Sequence, residues 1–97
     1  MAAKIFRWSE EKNRKLQEER GVSFEEVVLK IAQGEVLDLL VHPNQEKYAG
    51  QKIFVVEIGG YAYLVPFVET EEEIFLKTII PSRKATKKYL RSKKDET

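Results

Sequence analysis

The chain has 97 residues, enough for one domain with a modest core. Its 34% charged residues exclude a helical membrane protein, since no stretch approaches the ~18 apolar residues of a spanning helix. The formal net charge of +1 conceals an asymmetry: Lys77 to Lys94 holds eight Lys or Arg and no Asp or Glu, while the chain before it is acidic.

A basic end on an acidic body attracts polyanions, nucleic acid first among them. The same pattern also reads as a solvated helix face with a charged tail. There is no Cys, which removes disulfides, thiolate metal sites and Cys nucleophiles, and His42 is the sole His, so no His cluster holds zinc. No cofactor is expected. Met1 to Ser9 lacks the long apolar region of a secretory signal, and a cytoplasmic location is the expectation. A single domain is expected over residues 1–90, with a charged and mobile tail over 91–97.

In chain order, Lys4 to Trp8 alternates weakly and reads as a short strand or an ordered lead-in. Ser9 is placed to cap a helix that runs to Arg20 and stops at Gly21. That helix carries one large apolar residue, Leu16, and must lie on the surface. Ser23 and Glu26 form a capping box, with Val22 and Val27 as its hydrophobic staple. Phe24, Val27, Val28 and Ile31 then make one apolar stripe on a second helix ending at Gly34. From Glu35 the period becomes that of strands. Val36–Val41, Ile53–Ile58, Tyr61–Val68 and Ile74–Ile80 read as four strands in an antiparallel meander, with Gly59-Gly60 as a two-residue hairpin turn. Pro66 would remove a ladder donor from a central strand, so a bulge or local edge is expected there. Pro81 stops the last strand and Ser82 can cap a terminal helix.

Three stretches in this order resemble the BrnT family of bacterial toxins from type II toxin–antitoxin systems. They are Phe6-Arg7-Trp8-Ser9-Glu10-Glu11-Lys12-Asn13, Gly21-Val22-Ser23-Phe24-Glu25-Glu26, and Ile79-Ile80-Pro81-Ser82-Arg83-Lys84-Ala85-Thr86-Lys87-Lys88. Together they span nearly the whole chain. The resemblance implies an α+β fold similar to RelE-type ribonucleases: two N-terminal helices, an antiparallel sheet of about four strands and one C-terminal helix. It implies metal-independent RNA cleavage that inhibits translation. It also implies a cognate antitoxin, usually with a ribbon-helix-helix region, through whose complex alone the chain would meet DNA. Tyr61 stands where the family commonly has an Arg after the glycine turn, and Lys77 where it often has an Arg in the last strand. The segment Pro43 to Tyr48 is shorter than the family's. A non-enzymatic module that binds nucleic acid or antitoxin is the alternative, and Tyr61 is the feature that favours it.

Metal-free RNA cleavage needs a base for the 2′-hydroxyl proton, a cation at the phosphate and an acid for the leaving oxygen. Lys77 and Arg83 are the candidate cations. Strand alternation puts Lys77 on one face with Phe75 and Ile79, opposite Leu76, Thr78 and Ile80. Lys77 also reads as an ordinary edge-strand Lys. Arg83 falls in the first turn of the last helix, where a cation opposes the dipole, and its planar fork suits a phosphate. The turn at Pro81 is expected to bring Arg83 back toward Lys77. Tyr61 can stack a base or donate a proton, whereas Tyr63 on the same face reads as core. His42 is a candidate for acid–base work by its residue type, though one His at a strand end is commonly incidental. Lys84, Lys87 and Lys88 extend the basic surface as the expected RNA-binding residues; for Lys87 and Lys88 the helix dipole is account enough. Glu57 could pair with Lys77 across the sheet.

Overall fold

Ser9 Oγ accepts the Lys12 N–H at 3.2 Å, and from that cap the first helix, α1, runs Glu10–Arg20 to Gly21. Only Asn13 and Leu16 of α1 are buried. The second helix, α2 (Phe24–Ala32), starts from the complete Ser23–Glu26 capping box and buries Phe24 and Val27. Asn13 joins the two helices. Its Oδ1 accepts the Phe24 N–H at 2.8 Å and its Nδ2 donates to Glu25 at 2.8 Å. Trp8 stacks on Phe24 with ring centroids 5.7 Å apart. Trp8, Ser9, Asn13, Gly21, Ser23, Phe24 and Glu26 of the first two stretches thus have packing, tying or capping tasks.

The computed structural model describes residues 4–91 as an α+β fold; beyond Arg91, the tail read from the sequence lies outside the described residues. Six strands form one sheet: β1 (Ile5–Arg7), β2 (Val36–Val41), β3 (Gln51–Ile58), β4 (Tyr61–Glu69), β5 (Glu73–Leu76) and β6 (Ile80–Pro81). Their spatial order is β1-β5-β4-β3-β2, with β6 pairing to β4 beyond β5. The expected four-stranded antiparallel sheet is therefore corrected to a six-stranded mixed one. β1 lies parallel to β5, while β2, β3, β4, β5 and β6 pair antiparallel. The turn Gly59-Gly60 has φ of 61° and 85°, the left-handed pair that a tight two-residue hairpin requires.

The expected strand Ile74–Ile80 is broken in two, and the break answers Pro66. Phe67 faces Leu76 but Leu64 faces Ile80, so Val65 and Pro66 stand opposite three residues, Lys77, Thr78 and Ile79. That is a β-bulge. Pro66 O accepts the Lys77 N–H at 2.8 Å. Because N and O of one strand residue point to the same side, the donor that proline lacks would have pointed into the bulge. The Ile79 carbonyl, freed from the ladder there, accepts from the Arg20 guanidinium at 2.8 Å. The extra residue also corrects the strict alternation. Leu76 and Ile79 both enter the core, and Ile80 turns outward.

Both sheet faces are covered. Val56, Val65, Phe67, Leu76 and Ile79 pack under α1 and α2 with Leu16, Val22, Phe24 and Val27. On the other face Val55 and Ala62 lie against Ala85, with Leu37, Leu40, Leu64, Tyr89 and Leu90 around them. The covering element is α3 (Arg83–Thr86), which continues as a π-helical turn over Lys87–Arg91. Among the described residues no helix is long and apolar enough to cross a membrane.

Charged pairs fasten the edges. Glu69 accepts from Lys4 and from Lys52, the latter at 3.3 Å, and Tyr89 Oη donates to Asp38 Oδ2 at 2.5 Å. The Tyr89 hydroxyl, and next the Leu39 N–H, hold the Asp38 carboxyl below the usual carboxylate range; Lys4, then Lys52, do the same for Glu69. Asp38 in turn raises the Tyr89 phenol above its ordinary value. Depressed carboxyls stabilise the fold above the ordinary carboxylate range, and that contribution is lost as pH falls through the depressed values. The raised phenol stabilises at all pH below about 10 and ceases to do so in stronger alkali. The thermal midpoint is therefore expected to fall as pH drops below about 4. In Tyr89→Phe this acid loss should shrink. A midpoint that stays level down to about pH 2 would contradict the assignment.

Candidate nucleic-acid interface

The terminal helix is docked onto β4 by Ser82 and Thr86. Ser82 Oγ accepts the Ala85 N–H at 3.0 Å, and the Ser82 N–H donates to the Ala62 carbonyl at 3.0 Å. Thr86 Oγ1 accepts the Ala62 N–H at 2.9 Å and donates to the Ser82 carbonyl at 2.8 Å. The ladder thus ends in a side-chain clamp, and the orientation of the helix is fixed where it leaves the sheet.

With Ala85, Thr86, Tyr89 and Leu90 turned to the sheet, the cations divide between two flanks, as positions four apart on a helix must. Arg83 and Lys87 join Tyr61 and Thr86 around a cleft of about 420 Å³. Lys84 and Lys88 lie on the other flank beside Leu40, Leu64 and Tyr89. All four cations are exposed. Arg83 makes no hydrogen bond or ion pair among the described residues, and no acidic residue sits in the helix's first turn. Ser82 Oγ already holds the Ala85 N–H, so the backbone of that turn adds little to any anion site and Arg83 itself is the main donor there.

The remaining candidates lie elsewhere. Lys77 is exposed in the bulge opposite Pro66, while the Arg83 turn begins opposite Ala62, four strand residues or roughly 13 Å away. The two do not share a cleft. His42 bonds to Gln51, whose β4 neighbour is Val68, so it is roughly 23 Å along the sheet from Tyr61. His42 Nδ1 accepts the Asn44 N–H at 3.1 Å and its ring lies 4.2 Å from that of Tyr48, both tasks that organise the loop. Glu57 does not meet Lys77. It pairs with Lys30 at 3.5 Å and accepts the Gly60 N–H at 2.6 Å, closing the hairpin turn. Tyr63 packs on the main core, as its position suggested, with Tyr61 edge-on to it at 5.8 Å.

On the other side of Tyr61 and Thr86 a second, larger cleft of about 590 Å³ opens between the start of β2, the hairpin turn and the terminal helix. Its charged lining groups are Glu35 and Glu57, and its apolar ones include Leu37 and Leu90. Sequence reasoning missed this cleft and the clamp that builds it. Thr86 at the fourth position after the cap Ser82 was a usable signal for the clamp. Comparison with protein-family models, curated proteins and solved structures finds no match to this chain.

Proposed function

We propose that the chain is a small RNA-cleaving toxin of the BrnT kind, metal-independent, neutralised by a cognate antitoxin of ribbon-helix-helix type and similar in fold to RelE-type ribonucleases. One observation carries this reading. Ile79, Ser82, Ala85 and Thr86 of the last resembling stretch are spent on packing or docking, whereas Arg83 has no such task and faces a cleft with Lys87 and Tyr61.

The chemistry follows from that trio. A phosphodiester seated between Arg83 and Lys87 has its developing charge offset as the 2′-hydroxyl gives its proton to water, its oxygen bonds to phosphorus and the bond to the 5′-oxygen breaks. The guanidinium fork holds two phosphate oxygens at once, which fixes the geometry of attack. The Tyr61 hydroxyl is the group at hand to protonate the departing 5′-oxygen, and its ring offers a face to an adjacent base. Lys84 and Lys88, on the opposite flank, hold the strand through its other phosphates or meet an acidic antitoxin segment.

The non-enzymatic alternative keeps support from the separation of Lys77 and His42 from the cleft, and from Tyr61 itself. Induced expression in a bacterial host separates the two. The toxin reading expects growth arrest with loss of bulk messenger RNA, relieved by Arg83→Ala. Lys77→Ala, roughly 13 Å away, is expected to relieve arrest far less than Arg83→Ala. Undisturbed growth on strong expression, or equal relief by the two substitutions, would oppose the proposal.

A further inference from the structure

The larger cleft has the wrong charge for a phosphate. Glu35 and Glu57 both border it, and Lys30 alone stands between them, at 4.0 Å and 3.5 Å. A polyanion is repelled here and drawn to the Arg83 side of Tyr61. An occupant of the acidic side carries no negative charge, suits the apolar surfaces of Leu37 and Leu90, and brings N–H donors.

The two carboxylates are not equivalent. Glu57 is occupied, with one oxygen on the Gly60 N–H at 2.6 Å and the other facing Lys30 at 3.5 Å. Glu35 has a side chain 55% exposed, and its one partner among the described residues is Lys30 at 4.0 Å, an ion pair beyond hydrogen-bond distance. Its carboxylate oxygens keep their acceptor capacity.

A nucleobase meets all three requirements, and the four bases differ in what they show a carboxylate. Guanine carries two adjacent donors, N1–H and N2–H, on its Watson–Crick edge. Adenine and cytosine set one donor beside an acceptor, and uracil sets one donor between two acceptors. An ionised carboxylate accepts only, so it matches guanine with two parallel bonds and opposes the acceptors of the others. We infer that the acidic cleft is a guanine-selecting subsite in which Glu35 receives N1–H and N2–H of a base whose phosphate lies toward Arg83. This rests on the RNA reading of the neighbouring cleft and adds the base that the site prefers.

The test is an NMR titration of the full chain with the 3′-monophosphates of guanosine, adenosine, cytidine, uridine and inosine. Guanylate should bind about tenfold more tightly than the other three common nucleotides. Inosinate, which lacks the N2 amino group, should lose most of that margin. Glu35→Gln should bring guanylate down to the level of adenylate with an unchanged thermal midpoint, since the residue is exposed. Equal binding of all the nucleotides, binding of none, or a guanylate preference that survives Glu35→Gln overturns the inference. Mononucleotides report no cleavage, so the two readings fail separately. Guanylate selection by a protein that leaves RNA intact removes only the nuclease. Cleavage without guanylate selection removes only the subsite.

Discussion

Arg83→Ala is expected to slow cleavage of a single-stranded RNA by about 10²–10³-fold, the usual effect of removing one preorganised donor from developing negative charge. Arg83→Lys should recover part of the loss, because an ammonium restores the charge without the planar two-point grip. The thermal midpoint should not move with either substitution. Arg83 is exposed, makes no bond among the described residues, and sits as a cation in a first helical turn, where the dipole gains from its removal. A large loss of cleavage at constant stability is the signature of a residue retained for the site. Wild-type rates in Arg83→Ala would take the phosphate role away from it.

The second large effect concerns the fold. Phe24 is fully buried, stacks on Trp8, and donates its backbone N–H to Asn13 in the bond that ties α1 to α2. Phe24→Ala is expected to cost about 3–5 kcal/mol from lost burial and the cavity left behind. Against a total of about 5–15 kcal/mol for a domain, much of the population would unfold at moderate temperature. Denaturant titration measures this directly. A loss below about 1 kcal/mol would mean that the helical hairpin collapses around the gap or contributes little to the core.

What could be read from the residues was local, and what could not was long-range. The caps at Ser9, Ser23 and Ser82, the stop at Gly21 and the Gly59-Gly60 hairpin are each decided within a few residues, and each forms as expected. The buried stripe of α2 is equally local. The parallel pairing of β1 with β5 joins Ile5 to Glu73, and three residues of weak alternation carry no sign of so distant a partner. A bulge or local edge is the expectation at Pro66, and the bulge appears on the strand opposite. A missing donor is a defect shared by two strands, and here the neighbour absorbs it. That single extra residue moves Ile79 into the core. At the site, Arg83 and Tyr61 were visible as unusual residue types in their positions. Glu35 was not, because its meaning arises only where the start of β2, the hairpin turn and the terminal helix come together; Thr86 was marked by its spacing from Ser82, but its partner Ala62 was not.

The central claim is that the cleft between Tyr61, Arg83 and Lys87 cleaves RNA without a metal. Its most direct test is incubation of the purified chain with end-labelled single-stranded RNA at one fixed salt concentration in the presence of chelator, followed by analysis of the product ends. The account predicts cleavage undiminished by chelator, fragments ending in a 2′,3′-cyclic phosphate and a free 5′-hydroxyl, and no cut where the attacking 2′-hydroxyl is methylated. RNA left intact, cleavage abolished by chelator, or cutting that persists at 2′-O-methylated positions would contradict it.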